Sequence, residues 1–555
     1  MYAEQYGSAA PLGQPATSSK MLYLTEQQAI PIPHPPQMNN DGNHIISLSA
    51  FTRWLASVAE EHYGVEIYPG FAGAGLLFSE QEDAEDPWTG WEGKWGKEVT
   101  KIGSNAGPST NPKKVKSVRG VITNDVGISR SGCMKSNFEP GMIFRSKVTL
   151  LAEGAHGSLS KIALKKYDLR KESEGPTYGF GLKEMALREM GRYKPGEVVH
   201  TLGFPLDNQT YGGGWVYHMD KGLVSIGLVI GADWKNPYRI PYQNEAHPYL
   251  RKLLTPSSSP DTFTPSRIAY GARVLVEGGL QSVPLLHFPG GAIIGDSAGF
   301  VNIAKIKGVH SSMKTGMLGG EGAFKALERE SEEESKPADL SSYTQAFTHS
   351  WVYSDLHEVR NMRPSFNTSL GIWGGALYSG FDSLFLKGKT PWTLRHTKSD
   401  EERKRTLYAT PSMDAKHTEH QGQHKPIEYP PFEPPLSTDL MTSVSLTGTN
   451  HEEDQPVHLR VATLGEYVRE WYGDEANVLG GATDGGASAA AEGQEVMDPT
   501  ERRKTHVKRN VEEFAGLLGR ACPAGVYEYV DDEASSAEGW NGKKLVINSQ
   551  TATLL

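Results

Sequence analysis

Two acidic residues stand where an apolar run meets a glycine, and each could hold a ligand. In FPGGAIIGDSAGF (288–300) the run Ala292–Ile294 ends at Gly295-Asp296. A carboxylate at a strand's end can accept hydrogen bonds from the hydroxyls of a ribose or ribityl chain. The helix expected to start near Lys307-Gly308 would offer free N–H groups and its positive end to a phosphate or to the edge of a heterocycle. Gly308 has no side chain to hold such a ligand away. In KVTLLAEGAHGSLSK (147–161) a second apolar strand ends at Glu153-Gly154, followed by Ala155-His156-Gly157. Taken singly, each is also what a plain strand–turn–helix looks like; together, in this order, they strengthen each other. A G-x-G-x-x-G loop, which would cradle a pyrophosphate, is absent. GFAGAGLLF (70–78) comes nearest, with Phe78 where the third glycine belongs.

A third stretch is apolar and aromatic. Leu370–Leu386 is broken by Asp382 and several glycines, and is too short and interrupted to span a bilayer. Trp373, Tyr378, Phe381 and Phe385, flanked by Lys387, Lys389, Arg395 and His396, suit a segment lying in a membrane interface. A buried core helix is the competing reading. The eighteen histidines form no recognisable nucleophile motif, and HTEHQGQH (417–424) reads as a solvated linker rather than a metal site.

These residues need elements to hold them. HIISLSAFTRWLASVAEEHYGVEIYPG (44–70) predicts a short extended piece, then a helix with Phe51, Leu55, Val58 and Ala59 at helical spacing, then a strand at Val65–Tyr68. VRGVITNDVGI (118–128), SKVTLLAEG (146–154) and LVSIGLVIGA (223–232) read as strands, the last as a buried strand of a half-exposed sheet. GVHSSMKTGMLGGEGAFKALE (308–328) reads as a helix despite its glycines. Residues 79–116, 398–424 and 474–500 are polar or small-residue stretches with too little apolar content for a core.

The 555-residue length implies more than one core. A hydrophobic content of 37% with 22% charged residues describes a globular chain, and the net charge of −10 gives no electrostatic support to a nucleic-acid partner. The 61 glycines and 34 prolines suit a ligand-binding α/β protein rich in turns. The two cysteines, Cys133 and Cys522, exclude a disulfide framework. The first arginine is Arg53, and no apolar core precedes it, so neither a signal peptide nor a mitochondrial presequence is visible.

With these pieces in order, the chain closely resembles the electron transfer flavoprotein–ubiquinone oxidoreductase family. The resemblance is carried by IPIPHPPQMNNDGNHIISLSAF, GVITNDVGISRSG, LAEGAHGSLSK, YGGGWVYH, RIAYGARVLVEGGLQSVP, IIGDSAGFVNIAKIKGVHSSMKTG, VRNMRPSF, PIEYPPFEPPLSTDLMTSVSLTGTNHEEDQPVHL and CPAGVYEYV. It implies an α/β (α+β) architecture: an FAD-binding flavoprotein fold, an inserted mixed-sheet ubiquinone domain and a remnant ferredoxin-like C-terminal domain. The boundaries would be 1–175 and 288–365 for FAD, 176–287 for ubiquinone, 366–397 for a membrane-surface segment, 398–424 for a linker and 425–555 for the iron–sulfur part. That last part would be interrupted at about 461–519. The resemblance implies FAD and a [4Fe–4S] cluster as cofactors, with reduced electron transfer flavoprotein as electron donor and ubiquinone as acceptor. It also implies the matrix side of the mitochondrial inner membrane, touched through about 366–386.

Residue by residue, Glu153, Gly154, His156, Gly157, Gly295, Asp296, Gly299, Asn302 and Gly308 would bind FAD. Gly278 and Gly279 would meet the quinone head-group, Gln281 and Ser311 would lie near the flavin ring, Cys522 would be the first cluster ligand, and Tyr527 would stand beside the cluster. The departures are the missing G-x-G-x-x-G and the missing C-x-x-C-x-x-C after LVINSQ, which removes three of four cluster ligands and marks the chain as incomplete or impaired. The shared acidic-Gly and Gly-Asp motifs keep two alternatives open: an FAD-dependent hydroxylase or prenyl-reductase-like enzyme, and a non-catalytic fragment.

Overall fold

The computed structural model describes residues 9–79, 117–130, 133–187, 193–234, 267–330, 337–367 and 371–396, with short stretches between 452 and 548. It is a mixed α/β structure with six sheets among the described residues, two of which frame the candidate sites; a further three-stranded sheet pairs Gly73–Phe78, Val118–Thr123 and Ile143–Arg145. The larger of the two framing sheets has seven strands in the order Arg267–Val276, Tyr178–Leu187, Leu223–Gly231, Gly212–His218, Glu197–Gly203, Ser18–Leu24 and Ala29–Ile32. All its pairings are antiparallel except Glu197–Gly203 with Ser18–Leu24. Strands 18–32 thus join this sheet, although their place in the sequence assigns them to the preceding unit.

Side chains alternate across each strand. Val224 and Ile226 pack with Leu22, Leu24, Val199 and Val216 into one core, and Leu228 and Ile230 pack with Leu206 and Trp234 into another. The opposite face carries Met21, His200 and Trp215, paired in register across neighbouring strands. Leu223–Gly231 is buried along nearly its whole length, so the expected half-exposed sheet is covered on both faces there.

The smaller sheet places Thr149–Leu151 parallel to Gly291–Ile293, with His287–Phe288 antiparallel at the edge. Both acidic-glycine turns therefore leave the same ends of adjacent parallel strands. The helices Ser158–Lys166 and Val309–Glu330 follow them. The core beneath includes Leu151, Ile293, Phe300, Leu340 and Tyr343.

The helix Leu48–Tyr63 forms as its spacing predicts, with Ser47 capping its start and Gly64 ending it in the left-handed conformation. Val65–Tyr68 is not a strand. The chain there makes no ladder among the described residues, although the Tyr68 ring packs on Phe144 of the strand Ile143–Arg145, and Val65, Ile67 and Tyr68 are exposed. The hairpin of Val126–Ile128 and Met134–Glu139 reaches the C-terminal part, where Lys135 pairs with Glu452 and Arg130 donates to Asp454 and to the carbonyl of Ile547. That part contributes the ladder Tyr527–Asp531 with Lys543–Ile547. Cys522, the linker 398–424 and the polar stretch 474–500 lie outside the described residues.

Candidate functional site

The Gly295-Asp296 turn is pinned to the start of the helix Val309–Glu330. Ser312 donates its hydroxyl to Asp296 Oδ1 at 3.0 Å, and the amide of Gly295 donates to Thr315 Oγ1 at 3.2 Å. A Cβ on Gly308 would meet Asp296 Oδ1 at 3.4 Å, so this glycine keeps the carboxylate and the helix start close. Burial pushes the Asp296 carboxyl up, and the Ser312 hydroxyl pulls it partly back. Ser311 is buried in the first turn of the helix. The Ser297 hydroxyl is buried with no hydrogen-bond partner among the described residues. Asn302 is committed to the intervening loop, accepting from the Lys305 amide and donating to the Asp355 carbonyl. Gly299, at positive φ, lies against Val276, just before Glu277-Gly278-Gly279.

Glu153 has a local task. Its carboxylate accepts from the amides of Leu159 and Ser160 at 3.0 and 2.7 Å and from the Ser160 hydroxyl, so it caps the helix Ser158–Lys166. Gly154 and Gly157 take left-handed conformations in that turn. His156 is partly buried. Desolvation, then Lys161 and Arg273, lower its pKa.

Gly278 is locked in place: a Cβ there would strike Ser282 Oγ, and its carbonyl lies 3.1 Å from His396 Nε2. Gln281 uses its amide nitrogen to tie the carbonyls of Arg360 and Leu394 together, while its Oε1 is buried without a partner among the described residues. Tyr527 is buried in the C-terminal ladder.

What sequence reasoning missed is a cavity of about 320 Å³ between the seven-stranded sheet and the helix Gly371–Phe381. Its wall is mostly apolar, with Met21, Trp215, Val229 and Leu275 from the sheet and Ala376 and Leu384 from the helical segment. Gly212, Gly213 and Gly214 also line it. Leu384 lines the cavity and is also exposed, so the cavity reaches the surface there. The glycine run YGGGW was the available signal. Gly278 and Gly279 are not on this wall, but the adjoining Glu277 is.

Several polar residues line the cavity, among them His34, Thr201 and Ser379, and two polar pairs stand out. In one, Glu277 and Arg363 meet: the Arg363 guanidinium lies 3.5 Å from Glu277 and 3.5 Å from Asp233, and stacks over Tyr211 at 3.9 Å. In the other, His200 Nε2 lies 2.8 Å from the Tyr217 hydroxyl. Both His200 and Tyr217 also border a larger cleft of about 1180 Å³, which is lined by Asn39, Lys305, Lys307 and His310.

His200 is held neutral: burial, then Lys307 and His34, push its pKa down to about 4. The unfolded chain takes up this proton near the ordinary value of about 6.5, the native chain only near 4. Between those values the unfolded state binds more protons, so stability is full above pH ~6.5 and falls as the pH is lowered, by up to about 3 kcal/mol. Urea midpoints at pH 7 and 4.5 for the parent and His200→Gln check this. The variant should lose less stability on acidification, and equal losses would refute the assignment.

The helical segment that closes the cavity turns Trp373, Leu377, Phe381, Leu384 and Phe385 outward. No helix among the described residues is long and apolar enough to cross a membrane. Nor is there, among those residues, a group of three or more His, Cys, Asp or Glu that could hold a metal ion.

A family model described as "ETF-QO, ubiquinone-binding" matches residues 178–275. Another, described as "Electron transfer flavoprotein-ubiquinone oxidoreductase, 4Fe-4S", matches 435–474 and 487–553. The chain is 41% identical over 553 residues to the probable electron transfer flavoprotein-ubiquinone oxidoreductase, mitochondrial, of Saccharomyces cerevisiae, covering 96% of this chain and 72% of that protein. The Rattus norvegicus protein of the same family is 39% identical over 547 residues, covering 98% of this chain and 73% of its own. Among solved structures, a geranylgeranyl bacteriochlorophyll reductase-like protein from Thermoplasma acidophilum aligns over 73% of this chain and 84% of its own at 14% identity. Its TM-score of 0.41 is too low to bear on function.

Proposed function

The chain belongs to the electron transfer flavoprotein–ubiquinone oxidoreductase family, and from that premise we propose that it passes electrons from reduced electron transfer flavoprotein through bound FAD to ubiquinone. The observation that carries this reading is the apolar cavity under the helical segment 371–386, whose mouth lies among outward-facing apolar side chains. A quinone with an isoprenoid tail is delivered from a lipid phase and needs a dry pocket open to it.

The residues present fit FAD over its polyol and ring. Asp296 and Ser312 form a half-buried acceptor–donor pair beside the start of the helix Val309–Glu330, and the orphan Ser297 hydroxyl lies in the same turn. Asp296 would accept from the ribityl hydroxyls, and the amides of residues 309–311 would face the flavin edge. FAD, when bound, supplies the two-electron chemistry. Glu153, Gly154, His156 and Gly157 would shape the neighbouring turn on the dinucleotide side, Glu153 by holding its helix. Gly299, Asn302 and Gly308 would fix the loop around Asp296, while Ser311 and Gln281 would stand near the ring. Gly278 and Gly279, next to Glu277, would meet the head-group. The two cysteines of the sequence fall short of the four thiolates a [4Fe–4S] cluster needs, so no step is assigned to a cluster through Cys522 or Tyr527.

The outward apolar side chains would rest on a membrane surface, and the mitochondrial relatives make the matrix side of the inner membrane the proposed location. Asp296→Ala tests the FAD assignment. Its loss removes hydrogen bonds to a charged group worth about 1.5–3 kcal/mol, so FAD should bind about 10–100-fold more weakly in a fluorescence titration. An unchanged affinity would place FAD elsewhere. Reduction of bound flavin by NAD(P)H, without electron transfer flavoprotein, would favour a hydroxylase-like enzyme instead.

A further inference from the structure

The glycine pair proposed to meet the quinone head-group has its acceptors engaged and its donors open. The Gly279 carbonyl accepts from the amide and from the hydroxyl of Ser282, each at 3.2 Å. The Gly278 carbonyl lies 3.1 Å from His396 Nε2. A carbonyl oxygen only accepts, so Nε2 carries the proton and donates it. The amides of Gly278 and Gly279 make no hydrogen bond among the described residues, although Gly278 is buried. A buried amide without a partner is rare, and it calls for a water or for a ligand's acceptor. A quinone carbonyl oxygen is such an acceptor. Gly279 stands at φ 65° and ψ −161°, a conformation open in practice to glycine alone, so the turn that aims its amide tolerates no side chain.

We propose that His396 is a positioning residue for quinone reduction, acting through the peptide between Gly278 and Gly279. The inference rests on the quinone reading above and deepens it by naming what holds and polarises the head-group turn. The peptide that carries the Gly278 carbonyl also carries the Gly279 N–H, and in a trans peptide the two point in opposite directions. His396 therefore grips the turn from behind, and the Gly279 N–H is left for a quinone oxygen on the other side. Donation to the carbonyl draws electron density through the amide and makes its N–H a stronger donor. As two electrons arrive from the reduced flavin, the quinone oxygen gains negative charge and this hydrogen bond strengthens. His396 itself touches neither quinone nor flavin and keeps its proton throughout, so the two electrons and two protons that make the quinol are unchanged.

The imidazole is placed by a strap of backbone that returns from the helical segment 371–386 to the glycine turn. Arg360, buried, donates to the carbonyls of Gly388, Thr390 and Trp392 at 2.6, 2.8 and 3.2 Å. Asn361, also buried, accepts from the Leu394 amide at 2.6 Å and donates to the Trp392 carbonyl at 3.2 Å. Gln281, just beyond the glycines, donates to the Leu394 carbonyl at 2.8 Å. The His396 amide donates to Glu174 Oε2 at 2.8 Å, and the Glu174 amide donates to the Gln281 carbonyl at 2.8 Å. The backbone on both sides of the His396–Gly278 hydrogen bond is thus fixed by other bonds, and the His396 side chain is buried between them. A donor held this way needs no rearrangement when charge develops on the ligand.

The test uses the full 555-residue chain with a short-tailed ubiquinone labelled with carbon-13 at its carbonyls. Binding is followed by quenching of tryptophan fluorescence. The infrared bands of the bound quinone report hydrogen bonds to its oxygens and need no flavin. In the parent, one carbonyl band should lie below that of the free quinone. His396→Phe keeps a ring but has no donor, so its band should move back toward the free value while binding stays within about threefold. His396→Gln, whose amide can reach the Gly278 carbonyl, should restore the parental band. With FAD bound and photoreduced beforehand, quinol formation at saturating quinone should slow about tenfold in His396→Phe, the scale of one hydrogen bond, and recover to within about twofold in His396→Gln. Lost packing alone would neither move the carbonyl band nor be repaired by Gln. Should His396→Phe not fold, His396→Asn, polar but too short to reach Gly278, takes its place with the same expectations. A band and a rate equal to the parent's in His396→Phe, or a His396→Gln as slow as His396→Phe, would overturn the proposal and leave the quinone reading standing. A parent that binds no quinone overturns that reading, and the proposal with it.

Discussion

Replacing Arg363 by Met lowers the stability of the fold by about 3–5 kcal/mol, the cost of removing one partner from a buried set of charges. The guanidinium is almost wholly buried, and so is Glu277; Asp233 is only slightly less so. The backbone is shaped for them. Gly179 and Gly231 are register partners on adjacent strands. A Cβ on Gly179 would strike the Glu277 carboxylate, and one on Gly231 would lie 2.8 Å from Asp233. Two glycines thus open the space that the carboxylates occupy, and Tyr211 covers the cation from one face. With Arg363 gone, Glu277 on the cavity's wall and Asp233 behind it both lose this cation. The charge argument has its own control: Glu277→Gln combined with Arg363→Met should cost less than Arg363→Met alone, because one stranded charge is removed with its partner. Urea unfolding of the three variants measures this. If the single variant lost less than about 1 kcal/mol, or the double variant lost more than the single, the charge argument would fail.

This cluster also marks the limit of what the sequence can tell. Asp296 and Gly308 could be singled out because a strand, a glycine turn and a helix follow one another within a short span, whereas Ser312, which donates to Asp296, was passed over for its neighbour Ser311. Asp233, Glu277 and Arg363 come from three separate segments, and only the closure of the seven-stranded sheet brings them together. The same holds for His200 and Tyr217, whose hydrogen bond depends on strand register. Val65–Tyr68 has the composition of a strand, but propensity alone does not make a ladder: Tyr68 meets the strand Ile143–Arg145 through its ring against Phe144, and no strand is formed there. Glu153 shows the opposite ambiguity. An acid before a helix reads equally as ligand and as cap, and its hydrogen bonds to Leu159 and Ser160 make the cap explicit.

The helical segment 371–386 resolves another ambiguity, since a core helix would bury its aromatic side chains and this one does not. Residues 373, 377, 381, 384 and 385 recur at three- and four-residue spacing, so they share one face. Leu377 is 77% exposed and Phe385 71%. The opposite face is buried through Ile372, Gly375 and Ser379, and Lys387, Lys389 and Arg395 are exposed beyond its end. An apolar face rimmed by cations suits the boundary between acyl chains and anionic headgroups. Leu377→Asp with Phe385→Asp should therefore reduce partition into vesicles of mixed neutral and anionic lipid about 1000-fold, taking about 2 kcal/mol for each apolar side chain withdrawn from lipid. Both side chains point away from the protein, so the melting temperature should stay near the parent's. Met134→Asp, at another exposed apolar residue far along the chain, should leave partition unchanged. Sedimentation with vesicles at low and high salt separates the contributions: the apolar loss should persist at both, while the share due to the cations fades as salt rises. Parental binding by the double variant would remove the membrane from this face, and with it the route by which a long-tailed quinone reaches the cavity beside Leu384.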